Sequence, residues 1–78
     1  MPKLTMISGK KLLKLLIDNG FQIVRVAGSH HFLKNEVTNK TTTVPIHSNE
    51  DLGRGLLKQI LRDAAMSVEE FDNLRQGR

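Results

Sequence analysis

No cysteine occurs in this chain of 78 residues, which excludes both a disulfide framework and a thiolate metal site. Tryptophan and tyrosine are absent too, and the aromatic side chains are three phenylalanines. A protein that held single strands by stacking one base after another would carry more of them. No stretch reaches the ~18 apolar residues of a membrane span. The opening Met1-Pro2-Lys3-Leu4-Thr5 lacks the apolar run of about 7–15 residues that marks a signal peptide. A cytoplasmic protein without membrane association is expected. There is no internal repeat and no low-complexity segment, and nothing marks a domain boundary. One small domain spanning 1–78 is therefore expected, with room for no separate cofactor domain.

What is present is basic. Twelve lysines and arginines stand against eight acidic residues, a formal charge of +4. The excess favours polyanions such as nucleic acid, or an acidic protein surface, without choosing between them. All three histidines fall at the ends of β-like segments: His30 and His31 in the run G-S-H-H-F at 28–32, and His47 closing V-P-I-H at 44–47. Imidazole takes up and releases a proton near neutral pH. Set in a basic surface, it suits chemistry on a phosphodiester.

The hydrophobic pattern places these motifs on elements. Ser8 is a candidate N-cap, followed by an apolar stripe of Leu12, Leu13, Leu16 and Ile17 at helical spacing. Asn19-Gly20 ends that helix as a left-handed C-terminal cap, giving bounds of 9–19. Residues 21–27 are rich in β-branched side chains and predict a strand. Gly28-Ser29 supplies a turn, 30–34 a second strand, Asn39-Lys40 a loop tip, and 41–46 a third strand. Pro45 cannot donate to a ladder and belongs at a strand end or on an edge. Leu57, Ile60, Leu61 and Ala64 predict a helix over 53–65. Ser67 and Glu70 have capping-box spacing and open a last short helix in which Val68, Phe71 and Leu74 recur. Residues 75–78 are expected to fray. The order is α-β-β-β-α-α, an α+β fold with a three-stranded antiparallel sheet and helices on one face. Leu13, Leu16, Ile17, Ile60, Leu61 and Phe71 are expected between helices and sheet.

A metal-free ribonuclease uses the 2′-hydroxyl of its substrate: a base removes the proton, the oxygen attacks the adjacent phosphate, and the 5′-oxygen leaves. A neutral imidazole suits the first step, and nearby cations stabilise the charge that builds on phosphate. His30 follows the Gly-Ser turn directly, where backbone comes close to a substrate. His31 projects to the other side of the strand. Period two pairs His30 with Phe32 and His31 with Leu33, so each face holds one apolar residue and the pattern leaves open which histidine is exposed. An ordinary strand histidine is the alternative for His30, and a backbone-bonded loop histidine for His47. Zinc is disfavoured, because adjacent histidines point apart and no HExxH pair exists; neither metal nor cofactor is expected.

Lys10 and Lys11 occupy the first turn of the first helix, where the macrodipole disfavours cations. A local rule broken without compensation often marks a functional position. Arg54, Lys58 and Arg62 form one basic stripe, and Gly53-Arg54-Gly55 leaves backbone amides open for phosphate. The alternative is a solvated helix face. Gly-x-Gly here lacks the remainder of a dinucleotide fingerprint.

Taken together, these residues resemble the HicA toxins of bacterial toxin–antitoxin pairs. The matching runs are N-G-F at 19–21, G-S-H-H-F at 28–32, V-P-I-H at 44–47, L-G-R-G-L-L-K-Q-I-L at 52–61 and S-V-E-E-F at 67–71, in the family's order over nearly the whole chain. The resemblance implies a fold like the double-stranded-RNA-binding domain and a translation-independent endoribonuclease acting on mRNA. It also implies neutralisation by a HicB-type antitoxin encoded beside it, with a monomeric toxin otherwise. In the family the catalytic histidine directly follows the Gly-Ser pair, which maps onto His30. Family members often have threonine after the second-helix glycine, where this chain has Leu56, which weakens any role for a hydroxyl there. Ser29, His47, Lys10, Lys11, Arg54 and Lys58 are the accompanying candidates for RNA binding. The competing readings are a non-catalytic RNA-binding module and a protein-binding domain that docks an acidic partner.

Overall fold

The computed structural model describes residues 4–77. The elements are α1 (Gly9–Asp18), β1 (Phe21–Ala27), β2 (His30–Asn35), β3 (Thr41–Pro45), α2 (Arg54–Asp63) and α3 (Val68–Arg75). This is the expected α+β order, with bounds within two residues of those the pattern predicts. Met1, Pro2, Lys3 and Arg78 lie outside the described residues.

Helix α1 starts where Ser8 Oγ accepts from the Lys11 amide at 3.2 Å. Leu12 and Leu16 are fully buried, with Leu13 and Leu15 packed at the margins of the cluster. Ile17 departs from expectation: it is 42% exposed. It follows Leu16 by about 100° of helix rotation, which carries it past the edge of the buried stripe. The helix stops at Asn19, whose Nδ2 donates to the Leu15 carbonyl at 2.7 Å, and at Gly20 with φ +100°.

The sheet is antiparallel with spatial order β1-β2-β3. Ala27 pairs with His30 across a two-residue loop whose first member, Gly28, has φ +59°, the backbone that a tight hairpin demands and glycine adopts without strain. At the other end of β2, Asn35 is buried and its Oδ1 accepts from the amides of Val37 and Thr38. Asn39, at φ +62°, forms the loop tip. Pro45 ends β3 on the sheet edge, where its missing amide costs no ladder bond.

Burial separates the two faces of the sheet. Leu33, Thr42 and Val44 are buried and face the helices; Thr42 Oγ1 donates to the Ile60 carbonyl at 3.2 Å, tying β3 to α2. Leu57, Ile60 and Leu61 fill the space between α2 and the sheet. Helix α3 carries both bonds of its capping box, Glu70 N–H to Ser67 Oγ at 3.0 Å and Ser67 N–H to Glu70 Oε1 at 3.2 Å, and inserts Phe71 at full burial. Of the tail expected to fray, Arg75 instead closes α3 with its guanidinium on Asp72 at 2.8 Å. Gln76 and Gly77 continue the turn by backbone bonds to Asp72 and Leu74.

Candidate nucleic-acid interface

His30 and His31 occupy opposite faces of β2. His31 pairs with the buried Val44 and is itself half-buried, so it lies on the helix-covered side. Its Nδ1 is 3.3 Å from the Ser29 carbonyl, which also accepts the Ile46 amide at 2.8 Å. With the proton on Nδ1, His31 donates to that carbonyl and ties the hairpin to the exit of β3. His30 pairs with Ala27 on one side and Pro45 on the other and is exposed on the uncovered face.

The end of the sheet that holds His30 is also where two helices begin. Gly9 packs so closely on the exit of β3 that a Cβ there would run into the Pro45 carbonyl oxygen and touch Ile46 Cα at 3.4 Å. This seats the first turn of α1, with Lys10 next in the chain, against the segment that leads to His47. Ser8 bridges to Asp51, and the Leu52 amide donates to the Ile7 carbonyl at 2.8 Å. The start of α2 is thereby held beside the start of α1. Lys10, Arg54, Ser29, His30 and His47 belong to segments that meet at this end, and Lys58 follows Arg54 by one exposed turn. Lys11 diverges: with Lys14, Leu15 and Asp18 it lines a groove between α1 and the end of α3 of about 890 Å³. None of the residues lining that groove is a histidine.

The helix starts differ in charge. Neither α1 nor α2 has an acidic residue in its first turn, whereas α3 has Glu69 and Glu70 there. Helix α3 follows the usual complement to the macrodipole; α1 and α2 present cations at their positive ends. An anion at those ends would satisfy both the lysines or arginine and the open amides. Among the described residues no group of three histidine, aspartate or glutamate side chains is placed to hold a metal ion, and no helix is long and apolar enough to cross a membrane.

One residue beside His30, Arg25, escapes a reading of the sequence by period. The Arg25 guanidinium lies over the Phe32 ring, 5.1 Å from its centroid, on the same face as His30. Counting by twos from the buried Phe21 puts Arg25 on the helix side instead. A β-bulge reverses this: Ile23 pairs with Leu33 and Arg25 with Phe32, leaving Val24 as the extra residue. The one signal in the sequence is a charged residue in a strand otherwise rich in β-branched side chains.

A family model described as the HicA toxin of bacterial toxin–antitoxin systems matches residues 9–66 of the chain. The match covers every strand, α1 and α2, and all three histidines. No curated protein matches the sequence.

Proposed function

Starting from the fact that the chain belongs to the HicA toxin family and is the toxin of a toxin–antitoxin system, we propose that it is an endoribonuclease that cleaves mRNA with His30 as general base. The observation that carries this reading is the exposure of His30 on the uncovered face of β2, one residue past the hairpin turn, while His31 is half-buried and bonded to backbone. A ring nitrogen of His30 removes the proton of a ribose 2′-hydroxyl. The oxygen attacks the adjacent phosphorus, the bond to the 5′-oxygen breaks, and the products are a 2′,3′-cyclic phosphate and a 5′-hydroxyl end. Lys10 and Arg54, at the starts of α1 and α2, and Lys58 bind phosphates of the strand; Ser29 and His47 border the same end of the sheet. Lys11 contributes to the general attraction from the side groove. A HicB-type antitoxin silences the enzyme by covering His30 and the basic helix starts with acidic or polar groups.

The test is incubation of the purified chain with single-stranded RNA in EDTA. Cleavage to cyclic-phosphate ends, lost in His30→Ala and on 2′-O-methyl RNA, supports the proposal. A salt-sensitive mobility shift without cleavage would instead mark a non-catalytic RNA-binding module. Neither cleavage nor shift would leave a protein-binding domain.

A further inference from the structure

The face of the sheet opposite the helices is uncovered, and its chemistry is one-sided. The three strands contain no aspartate or glutamate. Their uncovered side presents Arg25, His30, Phe32 and Lys34, the last three at alternate positions of β2. Among the described residues no carboxylate forms an ion pair with Arg25 or Lys34. The guanidinium lies over the Phe32 ring. A shallow depression of about 530 Å³ is lined by Val24, Arg25, Phe32, Thr43 and, from the end of α2, Asp63. The Asp63 carboxylate accepts Gln59 Nε2 at 2.9 Å. Strands that carry cations and no acid, with one aromatic ring on this face, are complementary to a phosphodiester strand whose bases are free to stack.

We propose that Phe32 and Arg25 form a seat for one unpaired base of single-stranded RNA, directly beside His30; the proposal rests on the RNA-cleavage reading above. Phe32 and His30 project from the same face two residues apart, about 6.6 Å along the strand. A base lying on the ring therefore brings its own ribose toward the imidazole. An exposed cation–π contact is weaker than base–aromatic stacking, so an arriving base displaces the guanidinium from the ring. The freed Arg25 then pairs with a phosphate of the same strand. The bulge at Val24 is what turns Arg25 to this face, in keeping with the tendency of bulges to re-aim side chains next to active sites. With one ring on the face, the seat takes one base, which is compatible with so few aromatics in the chain. A base inside a duplex has no free face to offer, so the seat selects unpaired RNA.

The experiment compares binding of a short single-stranded RNA and a perfectly paired duplex of equal length, in a His30→Ala background so that the RNA stays intact. Phe32→Leu should weaken single-strand binding by about 5- to 150-fold and leave duplex binding unchanged, and Phe32→Tyr should restore it. Arg25→Gln should reduce the magnitude of the log affinity–log salt slope by about 0.7, the value for one phosphate on a single strand. Because the chain has no tryptophan or tyrosine, Phe32→Trp supplies a lone fluorophore whose emission should be quenched by the single strand and not by the duplex. This readout stands even if Phe32→Leu is unstable. Equal affinity of parent and Phe32→Leu for the single strand, or an unquenched tryptophan in a bound complex, overturns the seat. If cleavage by the parent depends on His30 while Phe32→Leu binds normally, the seat alone falls. If the parent neither binds nor cleaves RNA, the cleavage reading falls and takes the seat with it.

Discussion

The Arg25 guanidinium stands over the Phe32 ring because the strand carrying it is bulged one residue earlier, at Val24. Without the extra residue, Arg25 would stand opposite His31, where Val26 now lies, and would point away from the Phe32 ring. An exposed cation–π contact contributes only about 0.5–1 kcal/mol, too little to justify a bulge for stability. What the bulge does is leave a cation on the face that holds His30.

The two histidines should separate in their effects. His30→Ala should melt like the parent and lose about 10²–10⁴-fold in cleavage rate, the contribution expected of a general base. His31→Ala should lower stability by about 0.5–1.5 kcal/mol through the bond lost to the Ser29 carbonyl, with cleavage retained in the folded fraction. Rates of cleavage set beside thermal melts decide this. Parental cleavage by His30→Ala would mean the active site lies elsewhere.

The basic start of α1 should act against stability and for binding. Replacing Lys10 and Lys11 together with Gln should raise stability at low salt by about 0.3–1 kcal/mol per residue, because cations there oppose the macrodipole. The same change should weaken RNA binding and flatten its salt dependence by up to about 1.4 in log–log slope. A variant that binds RNA with the parental salt slope would remove the helix start from the interface.

The revised boundary of the core is open to a direct check. Leu16→Ala and Leu61→Ala, at buried positions, should cost about 2–5 kcal/mol, a large share of the 5–15 kcal/mol typical of a folded domain. Ile17→Ala, at a position 42% exposed, should cost about 1 kcal/mol or less. Chemical denaturation of the three variants gives the comparison, and similar losses at 16 and 17 would contradict the packing described.

Gly9 is held to glycine by contact rather than by backbone conformation. Gly9→Ala adds a Cβ that meets the Pro45 carbonyl oxygen, a backbone atom that cannot step aside. It should destabilise by about 1–3 kcal/mol, more than alanine's better helix propensity returns. RNA binding should weaken as well, since Lys10 and the segment leading to His47 are displaced together. Gly55→Ala, which meets open space, is the control and should be neutral or stabilising in a thermal melt.

Local chemistry made most of the fold readable from the sequence. The Ser8 cap, the Gly28-Ser29 hairpin, Pro45 at a strand end and the Ser67–Glu70 capping box each depend on residues within about four positions of one another, so composition and spacing specify them. The order of elements and the alternation of His30 and His31 follow from the same short-range rules. Which histidine faces outward was decided elsewhere, by the pairing of β2 with a buried Val44 and by the helices that cover that side. Ile17 fell outside the core because the orientation of α1 is set by contacts with the sheet rather than by its own apolar stripe. The bulge that turns Arg25 onto Phe32, and the approach of Gly9 to Pro45 that draws the helix starts toward His30, join residues seven to thirty-six positions apart. Register and close packing between distant segments depend on how the whole surface is buried at once, and only the tertiary structure carries that information.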